Sequence, residues 1–465
     1  MTPDPSRRDA WLAVCTSIAG ALLAAAPALA QQPAATGSSA GTSAGAVGAT
    51  GAPGAPTGGS GFGARDPSPY YIGVSQGFTH ESNVFRSPTA TSDTFSSTSL
   101  LGGVDQRIGR QRVFGNASVS ANRYFKERQL DNTSYALAAG LDWETINKLS
   151  GNVRFGLSQN LSAPSANGVL PGTSRNLVQT ENVSATVRYG GASLLTVEGT
   201  VGYSQVDYSN PAYVVSESRG QSASLGLFYR PGGPLRLGVA GRVTRSRTPQ
   251  ALLDPISGTY QPNTVDGKNL DLTADYRLSG IVDGSARLSY TRQTNSNATI
   301  SGADFSGLTG TANITYRATG KTTLGLNAGR EAGVTNSAFN GFAIDTSQPT
   351  PVRTLQSGLY QNNQVTNYLG LTASYLATGR TTANAGLRYS RAKLLTALLT
   401  TGGAAVNPET TDVSKVAFVG VDYAVSARLG VSCSLSREDR DISGGIAPYS
   451  FVANSIGCLA QYTWR

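Results

Sequence analysis

From about residue 68 to residue 465 the chain alternates apolar and polar side chains with a period of two. In NLDLTADYRL, Leu270, Leu272, Ala274, Tyr276 and Leu278 share one face, and Asp271, Thr273, Asp275 and Arg277 share the other. VDGSARLSY repeats the arrangement, with Val282, Gly284, Ala286, Leu288 and Tyr290 set against Asp283, Ser285 and Arg287. The same alternation runs through 308–316, 369–375, 417–423 and 456–464. A two-residue period is the mark of a strand with unlike faces. Here one face is apolar and the other is small, hydroxylated or charged.

A soluble sandwich alternates too, but it needs bulky apolar residues for a core between its sheets. Residues 68–465 supply close to four hundred positions of strand pattern with little Leu, Ile or Phe bulk and no apolar run long enough for a membrane helix. An inverted arrangement fits better: apolar faces meet lipid and polar faces line a lumen. Short links recur at RIGRQR, TINKLSGN, RYGGAS, YRPGGPL, YRLSGIVD, YRATGKTT, YLATGRTT and YAVSAR. Longer polar stretches lie between them, such as SAPSANGVLPGTSRN, TPQALLDPISGTYQPNTVDGKN and EAGVTNSAFNGFAIDTSQPTPVRTLQSGLYQNN. Short periplasmic turns alternating with long extracellular loops predict an all-β transmembrane antiparallel barrel of about 18 strands, within 16–18, in the bacterial outer membrane. The letters Gly-Lys-Thr at 320–322 are then one of these turns. A phosphate-binding loop would need a glycine at position 315, which is Thr315, and a helix after it.

Residues 1–30 read as an export signal: Arg7 and Arg8, an apolar run from Trp11 to Leu29, and a small-x-small site at Ala28-Leu29-Ala30. A lipoprotein site at Cys15 is disfavoured, because almost no apolar core precedes it. Residues 31–67 have too few bulky groups to offset chain entropy and read as a flexible Gly/Ala/Ser/Pro linker. The signal carries two bases and two acids, so the formal charge of +9 survives its removal. His80, in THESN, is the only histidine, which excludes a histidine zinc cluster or a Ser-His-Asp triad elsewhere. That stretch reads as the polar rim of a strand. No catalytic residues, metal or cofactor and no nucleic-acid partner are expected.

Aromatic residues fall where the membrane boundaries should be. Trp143, Tyr189, Tyr229, Tyr276, Tyr316, Tyr375 and Tyr423 sit on the apolar face just before the short turns, and Tyr462 and Trp464 close the chain. Phe78, Tyr203, Tyr290 and Tyr389 sit near the opposite ends of rising strands. Rings at both interfaces form the girdles of an outer-membrane barrel. The ending GCLAQYTWR is similar to the sorting signal read by the barrel-assembly machinery, with Arg465 added after the aromatic. Lipid and lipopolysaccharide are the expected surroundings.

Cys433 and Cys458 are the cysteines left after processing, in an oxidising compartment. Facing residues of an antiparallel pair have a constant position sum. Matching Cys433 with Cys458 also matches Leu435 with Ile456, Val431 with Ala460 and Leu429 with Tyr462, all on the apolar face. A disulfide is expected, the alternative being two unpaired small apolar residues. On the polar face, parity places Arg154, Arg188, Arg236, Arg242, Arg287 and Arg388 toward the lumen, with Arg277 and Arg317. Asp105, Asp142, Glu198, Asp271, Asp275, Asp283 and Asp422 share that face. The bases either pair with these acids or offer guanidinium forks to an anionic glycan.

The stretch YYIGVSQGFTHESNVFR at 70–86, read as the N-terminal strand of the mature chain, resembles the opening of a family of β-barrel porins encoded with exopolysaccharide operons (EpsL-like proteins). SCSLSREDRDISGG with the later GCLAQY resembles that family's last hairpin. The resemblance implies a channel for exopolysaccharide export or biosynthesis, with an anionic polysaccharide as partner. Composition alone implies only a barrel, which leaves a general or solute-specific porin as the alternative. A barrel enzyme comes third, since hydrolytic chemistry would want histidine with serine or paired acids.

Overall fold

The computed structural model describes residues 69–146, 148–162, 174–191, 193–253, 259–278, 280–296, 304–345, 352–399, 409–444 and 450–464. The residues read as export signal and linker, Cys15 among them, and Arg465 lie outside these ranges. Eighteen strands follow in order: β1 (Tyr70–Glu81), β2 (Asp93–Ile108), β3 (Gln111–Tyr124), β4 (Asn132–Glu144), β5 (Leu149–Leu161), β6 (Leu177–Tyr189), β7 (Leu195–Tyr208), β8 (Ser218–Tyr229) and β9 (Leu235–Leu253). The second half comprises β10 (Tyr260–Leu278), β11 (Val282–Asn295), β12 (Phe305–Arg317), β13 (Thr322–Asp345), β14 (Val352–Leu376), β15 (Thr381–Leu399), β16 (Glu409–Ala424), β17 (Leu429–Ser443) and β18 (Phe451–Trp464). Each pairs antiparallel with its neighbours in sequence, and β1 pairs with β18 from Ile72–Trp464 to Glu81–Ser455, so the sheet is closed. Closure leaves no unpaired edge for lipid to meet.

The predicted barrel and its count of 18 strands are borne out. So is the turn pattern. RYGGAS turns on Gly190 and Gly191 at φ +119° and +47°, and YRPGGPL on Gly232 and Gly233 at +107° and +69°. These are backbone conformations that a side chain would strain. In YRATGKTT and YLATGRTT, Thr319 and Thr378 Oγ1 accept backbone N–H bonds from the residues two and three further on, so one turn chemistry serves both copies.

The outward face is uniform. Counting from the periplasmic end, the first, third, fifth, seventh and ninth residues of the rising strands point outward. On β9 these are Leu235, Leu237, Val239, Gly241 and Val243; on β11 they are Val282, Gly284, Ala286, Leu288 and Tyr290. Phe78, Tyr203, Tyr290 and Tyr389 are each the ninth residue of their strand. Eight steps of about 3.3 Å, inclined by about 40°, rise roughly 20 Å, close to the ~25 Å apolar band of such barrels. Eighteen strands ~4.8 Å apart at that tilt enclose a cylinder roughly 35 Å across the backbone, wide enough for an aqueous channel. The protein is an outer-membrane β-barrel.

Two sequence readings need correction. The stretch 331–363, read as an outer loop, is strand over its described residues 331–345 and 352–363: β13 and β14 are 24 and 25 residues long and pair from Thr322–Tyr375 to Asp345–Val352. Likewise β9 and β10 take up most of TPQALLDPISGTYQPNTVDGKN. Above the lipid neither face must be apolar, so the ladder continues while the alternation that signals it disappears. The stretch 70–86, read as one strand, ends as strand at Glu81. The side-chain amide of Asn83 donates to the carbonyls of Ser87 (2.7 Å) and Val452 (3.2 Å), and its Oδ1 accepts from Ser87 N (3.1 Å). Arg86 sits at φ +46°. The chain therefore folds into a tight loop.

Candidate functional site: the lumen wall

Polar-face residues are held inward by the same pleat that sends the apolar face to lipid, and they fall into layers by height. Nearest the periplasm, Arg112 forms a two-pronged pair with Asp105, and Arg154 binds Asp142 at 2.5 Å. Next to them Arg188 Nε donates to Glu198 (2.7 Å), and Arg236 bridges Glu198 (3.0 Å) and Asp275 (3.3 Å). Arg317 pairs with Asp283 at 2.9 Å. Higher up, Arg242 grips both oxygens of Asp271 at 2.8 and 3.2 Å. Of the acids read onto the lumen face, Asp422 accepts from Asn384 at 2.6 Å.

Aromatic rings organise these cations. Phe114 lies over Gly140 of β4, Phe228 over Gly238 of β9 and Tyr368 over Gly329 of β13; a Cβ at any of these glycines would run into the ring. Each ring carries guanidinium groups. Arg112 and Arg154 stand 4.8 and 4.6 Å from the Phe114 centroid, Arg236 stands 3.8 Å from Phe228, and Arg388 stands 5.7 Å from Tyr368. The unit of glycine, ring and guanidinium thus recurs around the wall. The glycine gives the ring a flat bed on the neighbouring strand, and the ring holds the cation by its quadrupole.

The mid-height layer differs from the periplasmic one. Arg388 has no ion pair with any described residue, and Arg287 has none either; the Arg287 Nε is buried without a hydrogen-bond partner. Of the six arginines singled out from sequence, Arg154, Arg188, Arg236 and Arg242 are bound to carboxylates, while Arg287 and Arg388 keep donors for something else.

At the extracellular mouth the β1–β2 loop folds inward. Val84 and Phe85 pack with Phe95, Tyr124 and Leu130 in the one buried hydrophobic cluster found among the described residues. Asn83 and Asp93 are each 1 % exposed. Asp93 accepts from the backbone N–H groups of Lys126 (3.1 Å) and Glu127 (2.8 Å), which fixes the β3–β4 loop. Arg86 binds Glu81 at 3.0 Å and Glu438 at 3.3 Å. Burial alone would lower its pKa, but the two carboxylates outweigh this and hold the guanidinium above its ordinary value. Arg440 and Asp412 form a further, half-buried pair at 2.6 Å. Sequence reading passed over this knot, because Glu81, Arg86 and Glu438 become neighbours only through β1–β18–β17 adjacency.

The boundary residues lie as follows. Tyr189, Tyr229, Tyr276, Tyr316, Tyr375, Tyr423 and Trp464 are exposed on the outer face. Trp143 is half-buried beside Gly151, and Tyr462 meets Trp464 edge-on at 4.7 Å. Cys433 and Cys458 face each other across β17 and β18 and are joined by a disulfide, with Cα atoms 4.1 Å apart, on the lipid-facing side. His80 points outward and its Nδ1 meets Thr94 Oγ1 at 3.0 Å.

No family model matches the chain, and no curated protein does. Solved structures give a likeness of fold. OccK1 (OpdK) of Pseudomonas aeruginosa is 13 % identical with a TM-score of 0.41, over 85 % of this chain and 99 % of that one. The FrpB iron transporter of Neisseria meningitidis is 9 % identical with a TM-score of 0.40, over 85 % and 82 %. The siderophore receptor PirA of Acinetobacter baumannii is 8 % identical with a TM-score of 0.38, over 85 % and 80 %. A likeness this distant says nothing about cargo.

Proposed function

We propose that this outer-membrane barrel is a selective channel for anionic solutes, and that its selective element is the mid-lumen wall of Arg287, Tyr368 and Arg388. The observation that carries this reading is the contrast between layers. Most lumen guanidiniums are bound by carboxylates, whereas Arg388 stands over the Tyr368 ring with no ion pair among the described residues and Arg287 keeps a buried Nε without a hydrogen-bond partner. A guanidinium beside a ring suits a carboxylate attached to a flat or sugar-like body, since one group binds charge and the other stacks. The charge acts locally, because screening in the aqueous lumen limits its reach to about 8–10 Å.

The second reading, export of an exopolysaccharide, is supported by the terminal motifs at 70–86 and 432–462. Part of the first motif has a structural duty, since Asn83, Val84, Phe85 and Arg86 build the mouth knot. One experiment separates the two. In planar bilayers the wild type should prefer chloride over potassium, and Arg287→Gln with Arg388→Gln should move the reversal potential toward zero. The same change at Arg188, already paired, should move it less. An unaltered potential in the double variant would overturn the anion-channel reading. Loss of extracellular polymer from a deletion strain, restored by wild type, would establish the export reading instead.

A further inference from the structure

Above the apolar belt the outer face of β8–β11 changes character. Arg219, Arg245, Arg247, Lys268 and Arg292 point outward there, with Asp266 the one carboxylate among them. Arg245 and Arg292 are each the eleventh residue of their strand, one outward row above Val243 and Tyr290. Asp266 is taken by Arg245, through bonds of 2.7 and 3.1 Å. The other four cations stand in two directly opposed pairs: Arg219 faces Arg247 across β8–β9, and Lys268 faces Arg292 across β10–β11.

Directly opposed side chains have Cβ atoms about 4.5–5.5 Å apart, and like charges in that arrangement destabilise a sheet. Two such pairs side by side call for a multivalent anion between them. Height and direction restrict what it can be. The side chains point away from the lumen, so a solute in transit does not meet them. They lie at the level where the outer leaflet's headgroups begin, with Val243, Leu270 and Tyr290 directly below to receive acyl chains. The same rows elsewhere are built differently: β1 carries His80, β5 carries Gln159, and β7 carries Gln205 and Asp207, while the cations Arg123 of β3 and Arg391 and Lys393 of β15 face Ser96, Val413 and Thr411 rather than a second cation.

We infer that the β8–β11 crown is a binding site for the phosphorylated glucosamine headgroup of lipid A, with Arg219–Arg247 and Lys268–Arg292 each holding a phosphate from the membrane side. Guanidinium and ammonium groups at a partly dehydrated interface bind phosphate by charge-assisted hydrogen bonds, and the acyl chains lie along the apolar belt beneath. The inference is independent of what passes through the lumen.

The test is retention of lipid A by detergent-purified full-length protein, read by native mass spectrometry. Bis-phosphorylated lipid A, lipid A stripped of phosphate, phosphatidylglycerol and inorganic phosphate are offered in parallel. The wild type should hold bis-phosphorylated lipid A at least about tenfold more tightly than the stripped form, the scale of one charged hydrogen bond. Phosphatidylglycerol should bind more weakly, and inorganic phosphate should not displace the lipid. The fourfold variant R219Q, R247Q, K268Q and R292Q should lose that discrimination, and R219K with R247K should keep most of it. Equal retention of the two lipid A forms by the wild type would overturn the inference without recourse to any variant. So would a preference for phosphatidylglycerol, displacement by inorganic phosphate alone, or full discrimination in a fourfold variant that migrates as a folded barrel.

Discussion

The mouth of the barrel at β1–β5 and its crown at β8–β11 sit at the same height and solve opposite problems. At the mouth, a loop turns into the lumen and buries Val84, Phe85, Phe95, Tyr124 and Leu130 beside the Arg86–Glu81–Glu438 triad. At the crown, cations turn outward and stay exposed, as Arg245 does with a side chain 65 % accessible. Below both, the outward residues of positions one to nine are nearly interchangeable. Lipid is the same all round, so the belt is uniform; above it each sector is free to acquire chemistry of its own. A contact has different worth in the two sectors. An ion pair inside the mouth is largely desolvated and meets little water when a partner is lost, whereas one on the crown has water or headgroups at hand.

Matched substitutions in the two regions test that difference most strongly. Arg86→Met leaves the buried Glu81 without this cation and should lower stability by about 3–5 kcal/mol, measured by urea unfolding in micelles. Arg245→Met, at an exposed pair, should leave the transition where it is. Equal losses would remove the basis of the comparison. The pH response has a definite sign. The folded-state pKa of Arg86 is raised, so its contribution is complete below the ordinary arginine range and is lost only as pH rises through the higher folded value. Acidification should not titrate Arg86 itself.

A covalent contact offers a sharper reference, because its effect does not depend on solvent. Cys433 and Cys458 close a loop with a sequence separation of 25. Replacing both by serine should cost about 3 kcal/mol through the freed unfolded chain. Thiol labelling of unfolded, unreduced wild type should find neither cysteine free; labelling before reduction would contradict the bridge.

The smallest expected effect lies between the two sectors, in the 3₁₀ turn Pro211–Ser216. Tyr213 is buried there against Tyr208, and burial pushes its phenol up to about 12. Below pH ~10 the phenol is protonated whether folded or unfolded, so its contribution is whole; between there and about 12 only the unfolded form ionises, and stability falls as pH rises. Ultraviolet titration should show a late-ionising group of tyrosines, and Tyr213→Phe should remove one phenol from it. Ionisation of every tyrosine near pH 10 would contradict it.

The belt was legible in the sequence because lipid imposes a strict period of two, and Leu270 to Leu278 or Val282 to Tyr290 display it without interruption. Inward parity of the arginines followed from the same rule. What parity does not reveal is partnership. That Arg236 reaches Glu198 of β7, or that Arg388 stacks on Tyr368 of β14, depends on register and on the glycines that let rings lie flat. The tall β13–β14 hairpin escaped notice for a related reason. Outside the membrane nothing forces alternation, so a stretch rich in Asn, Gln, Ser and Thr looks like a loop even where it is fully paired.

The disulfide between the last two strands also governs what a cut in the chain would do. Any single peptide bond broken between Cys433 and Cys458 leaves the terminal segment tethered, so a nicked molecule keeps its closing strand β18, still zipped to β1. On a gel such a molecule would run as one band until a reductant splits it into two. The barrel's fastening is thus proof against a protease reaching its final outer loop.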